Sequence, residues 1–320
     1  MPAILAVLLA AVCFGTTGTA QALGPASDPV ALGAARIAVG GIALAAVAAF
    51  VARRRGTAPP DPVGGRPAPG SSVTARASAT RTSLAVALGA LGVLAYQPAF
   101  FLGTARNGVA VGTVVALGSA PVLTGIVAWA TGRERPGRTW LAATALATAG
   151  VAVLGLAPGH ASTGGGVDVV GVLASLGAGA AYALYTLAGA ALIDGGWTST
   201  TSMGAMFGVA GVLSLGVLAV VGTGGLTSPA GLATVLWLGL VTTTLAYVLF
   251  GYGLARLGAA TVATLTLAEP LTATVLGLAV LGERLSGGAV LGLVVLACGL
   301  VVLGAGARRS RPVGRVTPRA

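Results

Sequence analysis

The sequence predicts an all-α integral membrane protein of ten transmembrane helices, arranged as two inverted five-helix repeats, and three observations predict it. First, 56% of the 320 residues are hydrophobic and only 8% are charged, where a soluble domain carries about 25% charge. Second, charge-free runs at or above the ~20 residues needed to cross a ~30 Å hydrocarbon core recur along the chain, and no charged side chain falls between Gly195 and Ala255. Third, two stretches repeat in one register. Pro270 lies 149 residues after Pro121 and Glu283 lies 149 after Glu134; the same offset pairs Gly150 with Gly299 and Val153-Leu154-Gly155 with Val302-Leu303-Gly304. A shared register without a gap reads as two related halves.

The first span runs from Ala3 to Leu23 and carries the small residues Gly15-Thr16-Thr17-Gly18, which allow close helix contact or a lining of hydroxyls. It ends in Ala20-Gln21-Ala22, which looks like a cleavage site, but no basic segment precedes it and an uncleaved helix is expected. A turn at Gly24 to Pro29 leads to the second span, which ends near Val51 and holds Arg36. Residues 52–82 are rich in Pro, Gly, Ser and Arg, and read as a loose loop with too little apolar surface to fold alone. The third span is expected from Ser83 to Ala105, the fourth from Gly108 to Thr131 around Pro121, and the fifth from Trp140 to Leu156. A glycine-rich loop with His160, a solvated side chain without a second metal ligand nearby, divides the halves. In the second half, spans are expected from Val169 to Leu192, Thr201 to Val221, and one ending near Ala255. The last two are the Ala259 to Arg284 stretch around Glu269-Pro270 and Gly288 to Ala305. The first repeat thus covers 1–157, the second 168–307, and a basic tail 308–320.

Orientation follows from the arginines. Fifteen of them (Arg53, Arg54, Arg55, Arg66, Arg76, Arg81, Arg133, Arg135, Arg138, Arg256, Arg308, Arg309, Arg311, Arg315 and Arg319) fall on the side of the two termini, against two, Arg106 and Arg284, on the other. The positive-inside rule then puts both termini in the cytoplasm, in a cytoplasmic (inner) membrane protein. With five spans per half, the second half enters from the opposite side, so the repeats are inverted. This is a recurrent architecture of secondary transporters, with substrate near the midplane. The net charge of +11 lies in loops between apolar spans, which argues against nucleic acid as a partner. Cys13 and Cys298 fall inside spans, so neither a disulfide framework nor a Cys/His metal site is expected.

Two ionisable residues stand at membrane depth. Glu269 lies about ten residues into its span, which at ~1.5 Å per residue is near mid-bilayer. An ionised carboxylate there is costly, so it is neutral, paired or facing water. A proton-coupling site needs such a group, while a structural reading has it cap backbone freed by Pro270 or pair with an arginine. Arg36 costs ~2.5–3.5 kcal/mol to insert if central; it binds a substrate carboxylate, neutralises Glu269, or snorkels towards Pro29. Gln97 sits beside Pro98, where the backbone is already loosened, and Tyr182 and Tyr185 share one helical face. These three serve either a pocket or packing. Pro121 and Pro270 are candidate helix breaks; Glu134 and Glu283 are candidate helix-end partners of nearby arginines, or gates.

The prolines in the fourth helix of each half, the Gly-Arg-Glu-Arg and Gly-Glu-Arg sequences that close those helices, and Ala-Ala-Arg36-Ile-Ala in the second helix together resemble the EamA-type branch of the drug/metabolite transporter superfamily. The resemblance covers about Leu5 to Gly304. The chain departs from that pattern at Cys13-Phe14-Gly15, where a Trp-Gly pair is common, and after Phe101. The resemblance implies cation-independent or proton-linked export of small metabolites, often amino acids or related amphipathic compounds. Multidrug efflux and metabolite uptake are the alternatives on the same fold. The expected partners are a small-molecule substrate, a coupling proton and the lipid bilayer, for a monomer or homodimer, with no cofactor. A non-transporting scaffold is a further alternative. An intramembrane enzyme lacks support, since one deep carboxylate and one histidine provide no metal or nucleophile constellation.

Overall fold

The computed structural model describes residues 2–54, 72–156, 168–282 and 286–309. Among them, ten helices are long and apolar enough to cross a membrane: α1 (Pro2–Leu23), α2 (Pro29–Arg54), α3 (Ala79–Val109), α4 (Val111–Ala130), α5 (Arg138–Gly155), α6 (Val169–Asp194), α7 (Ser199–Val221), α8 (Pro229–Leu254), α9 (Ala259–Leu281) and α10 (Gly287–Gly306). No strand occurs among the described residues. Glu283, Arg284, His160, the tail beyond Arg309 and residues 55–71 lie outside them.

The helix leading into α3 begins at Ser72, so the loop expected over 52–82 is shorter than the composition suggested. Its last part, Ser72 to Thr82, contains neither Pro nor Gly, and nothing in it stops a helix.

Small residues decide which helices meet. In lipid, association depends on van der Waals contact, and glycine lets two backbones approach. A Cβ on Gly41 of α2 would collide with the Phe207 carbonyl oxygen of α7, and one on Gly211 of α7 would lie 3.0 Å from the Ile37 carbonyl oxygen of α2. The α5–α10 pair has the same reciprocity. Gly150 abuts the backbone of Leu296, and Gly299 abuts that of Ala147. α6 packs against α3 and α4, while α1 packs against α8 and α9.

α3 and α4 are joined at Gly108, whose φ of 76° and ψ of 158° belong to a region essentially closed to residues with a Cβ. Gly108→Ala is expected to cost about 1–3 kcal/mol, read as a lowered Tm of the purified protein in detergent. The turn is tied to the start of α6. Asn107 Nδ2 donates to the Asp168 carbonyl at 2.9 Å, the Asp168 amide donates back to Asn107 Oδ1 at 2.7 Å, and Arg106 pairs with the Asp168 carboxylate at 3.0 Å. Asp168 also caps α6 by accepting from the Val170 amide at 2.7 Å. The Arg106 guanidinium and that amide hold its carboxyl below the ordinary value. The sign follows: the cap's contribution is present at neutral pH and is lost as the pH falls through the lowered value.

At the opposite end of the bundle, Arg133 pairs with Asp194 at 3.1 Å. The carboxylate of Glu134 accepts from the backbone amides of Ala259 and Ala260, the latter at 3.4 Å. This corrects the sequence reading, in which Glu134 paired with neighbouring arginines: it completes the first turn of α9, where the free N–H groups and the helix dipole favour an anion. These two ends are called below the Gly108 end and the Arg133 end.

The two prolines behave differently. α9 is interrupted by a 3-10 turn at Thr266–Ala268, after which the helix resumes at Glu269. Pro270 has no N–H, and its ring clashes with the carbonyl four residues back, which is that of Thr266. At Pro121 the backbone stays helical, and Gly108 is the non-helical residue between Ser72 and Ala130. Pro121 therefore does not break α4; it removes one hydrogen bond without turning the chain.

Candidate functional site

Depth and hydroxyl chemistry assemble one cavity at the centre of the bundle. It has a volume of about 160 Å³, and its wall includes Thr17, Gln21, Arg36, Tyr96, Gln97, Thr113, Tyr182, Tyr185, Tyr247, Thr266 and Glu269. All five candidate residues for substrate binding, Arg36, Gln97, Tyr182, Tyr185 and Glu269, line it. Glu134 and Pro121 do not; Glu134 stands at the Arg133 end and Pro121 follows the lining residue Ala120.

The cavity reaches towards the Gly108 end, where Gln21 is exposed near the end of α1 and Thr113 lies near the start of α4. Towards the Arg133 end it is closed by aromatic rings. Tyr185 and Tyr247 lie 5.8 Å apart between centroids, Phe207 sits 4.0 Å from Tyr247, and Phe250 lies 5.6 Å from Tyr247. Met203, Met206, Phe207 and Phe250 are fully buried. The tyrosine hydroxyls in this floor are satisfied: Tyr247 donates to Tyr185 at 3.0 Å, and Tyr182 and Thr266 share a hydrogen bond of 2.8 Å.

Arg36 is held by an irregular segment of α8. Residues Trp237–Leu245 form a π-helix, whose i→i+5 bonding leaves carbonyls available and which recurs at functional sites. Arg36 Nη2 donates to the Thr242 carbonyl at 3.3 Å, and Nε donates to Thr243 Oγ1 at 3.2 Å. Thr243 Oγ1 in turn donates to the Leu238 carbonyl at 2.9 Å, and Thr244 Oγ1 to that of Gly40 at 3.0 Å. Two hydrogen bonds thus hold the guanidinium against α8 at the cavity wall, and its Nη1 group takes no part in either. Three successive threonines, Thr242 to Thr244, are the one local mark of this segment in the sequence.

Glu269 follows directly on the 3-10 turn, so the interruption at Pro270 delivers its carboxyl to the cavity. It is partly exposed there and accepts no hydrogen bond from a described residue. Among the described residues the ion pairs are Arg106–Asp168 and Arg133–Asp194, so Arg36 and Glu269 face one space without pairing. Gln97 presses against Gly33, and its Oε1 is buried without a hydrogen-bond partner among the described residues. Ala120 and Leu117, which stand 149 residues before Glu269 and Thr266, line the same cavity. The two halves thus contribute equivalent positions to one wall, and one of them carries the acid.

The sequence matches the EamA-like transporter family over residues 1–156 and again over 169–305. The chain belongs to the EamA-like transporter family. Within the drug/metabolite transporter superfamily, it is thus a multi-pass membrane transporter and not an enzyme; its partners are a small-molecule substrate and the lipid bilayer. It is similar to the "Uncharacterized transporter YwfM" of Bacillus subtilis (strain 168), with 38% identity over 311 residues, covering 96% of this chain and 95% of that one. A solved crystal structure shares the fold with a TM-score of 0.76 at 19% identity, covering 96% of this chain and 98% of the other. Each EamA match spans five helices, which makes the cavity a space between two units of one kind.

Proposed function

We propose that this EamA protein is a secondary transporter that exports small metabolites, amino acids or related amphipathic compounds, across the cytoplasmic membrane by alternating access. The observation that carries the reading is the mid-depth cavity, shared by both halves, in which one guanidinium and one carboxyl face the same space without forming a direct ion pair. A solute with an anionic group meets Arg36, a cationic or hydrogen-bonding group meets Glu269, and Tyr96, Phe100 and Phe101 provide apolar wall. A volume of about 160 Å³ is below the ~300–1,000 Å³ of drug-sized sites, which favours small metabolites over multidrug efflux.

Reading the two halves as inverted repeats supports the alternating-access part. The α2–α7 and α5–α10 contacts are reciprocal, and α1 meets α8 and α9 as α6 meets α3 and α4, the pattern of a two-fold axis between halves. With the Arg133 end cytoplasmic by the positive-inside rule, the cavity is open outwards and closed inwards.

Glu269 is the coupling group in this reading, exchanging a proton as the cavity changes sides. The charged and titratable groups that share its cavity are Arg36, Tyr96, Tyr182, Tyr185 and Tyr247. The test is flux into and out of proteoliposomes with radiolabelled amino acids and cationic drugs at two imposed pH gradients. Amino-acid flux that follows the gradient, and that becomes gradient-independent or vanishes in Glu269→Gln, is expected. Gradient-driven flux unchanged in the variant makes Glu269 structural, and flux of cationic drugs alone overturns the substrate class.

A further inference from the structure

A second, larger concavity lies away from the central cavity. Between α3, α4 and α6, on the half of the bundle nearer the Arg133 end, a groove of about 950 Å³ is lined by Leu84, Leu88, Leu123, Val127, Leu184 and Leu187, with the small side chains of α6 as its floor. Its apolar walls face outwards: Leu84 is 56% and Leu88 38% exposed. α3 and α4 part from their junction at Gly108, and Ala180, Ala183, Ala188 and Ala191 of α6 do not fill the space between them.

The mouth of this groove is basic. Arg81, Thr131 and Arg133 stand at its rim. Arg81 is exposed, and Arg133 commits Nη2 to Asp194, which leaves its Nε and Nη1 edges for a further acceptor. Two guanidinium groups oppose the single carboxylate of Asp194. We propose that the groove binds an anionic phospholipid, with its phosphate on Arg81 and Arg133 and an acyl chain along the leucines of α3, α4 and α6.

Two physical facts select that occupant. A groove of apolar walls that opens to hydrocarbon is filled by acyl chains, because no other abundant solute is present at that depth. What separates an anionic from a zwitterionic lipid is charge at headgroup level, where basic pockets between helices on the cytoplasmic side recognise anionic headgroups. Each arginine near the surface contributes roughly a fivefold gain in binding, and Asp194 offsets part of it, so a preference of roughly tenfold is expected. The inference rests on the chain spanning a bilayer and not on the role assigned to Arg36 or Glu269, so its failure leaves the transport reading untouched.

The test uses the full-length protein purified in detergent, offered equal amounts of phosphatidylglycerol and phosphatidylcholine of matched chains, with retained lipid counted by native mass spectrometry. The wild type is expected to retain phosphatidylglycerol about tenfold better, and the double variant Arg81→Gln/Arg133→Gln to retain the two equally. Ala180→Trp, which fills the exposed floor, is expected to lower retention of both. Asp194→Asn breaks the same ion pair as the loss of Arg133 but keeps both guanidinium groups, and so is expected to keep the preference. Equal retention by the wild type, or a preference that survives the double variant, overturns the site. So does a preference abolished by Arg308→Gln/Arg309→Gln/Arg311→Gln, which assigns it to the tail.

Discussion

Arg36→Gln is expected to reduce transport efficiency roughly ten- to a hundredfold for any solute that carries a carboxylate. A hydrogen bond to a charged group contributes about 1.5–3 kcal/mol, and each ~1.4 kcal/mol is a factor of ten. The substitution removes the charge and also the donors now given to Thr242 and Thr243, so the π-helix loses its only described guanidinium partner. Arg36→Lys is not expected to restore activity. An ammonium keeps the charge but cannot serve a backbone carbonyl, a hydroxyl and a carboxylate with one planar fork. Initial rates in proteoliposomes separate the effects: a raised KM with little change in maximal rate marks lost binding, and equal loss of both for charged and uncharged solutes marks a structural role instead.

The second large effect is expected at the far end of the bundle. Glu134→Ala removes the acceptor for the Ala259 and Ala260 amides and leaves the first turn of α9 uncapped. Loss of a cap costs about 0.5–2 kcal/mol. If the inward-closed and outward-closed arrangements differ by a few kcal/mol, as two-state proteins commonly do, that loss changes their ratio by up to about thirtyfold. Hydrogen exchange provides the local readout: the amides of Ala259 and Ala260 are expected to lose protection in the variant while those in the middle of α7 keep it. Unchanged protection at α9 removes Glu134 from the closure of the Arg133 end.

Much of this was legible in the residues. Ten spans follow from apolar runs of sufficient length, and the 149-residue offset anticipates the two EamA matches. Arg36 and Glu269 were legible because an ionisable group at membrane depth is costly and therefore kept for a reason. Tyr247 and the π-helix were not. A shift from i→i+4 to i→i+5 bonding leaves hydropathy and length unchanged, so nothing in the pattern marks where Arg36 finds its carbonyl. Nor could local spacing link Glu134 to the start of α9, or Asn107 to Asp168, because both contacts depend on how distant helices meet. Pro121 shows the reverse case, a strong local signal that packing overrides.

The most direct test of the central claim is sided accessibility of the cavity. In a protein with Cys13→Ala and Cys298→Ser, Thr113→Cys places one thiol on the cavity wall, and a membrane-impermeant thiol reagent is applied from either face. The account predicts rapid modification from the external face, with loss of flux, little modification from the cytoplasmic face, and a rise in cytoplasmic reactivity when Glu134→Ala is added. Equal reactivity from both faces at once describes an open pore, and modification that leaves flux intact places the transport path elsewhere; either result contradicts it.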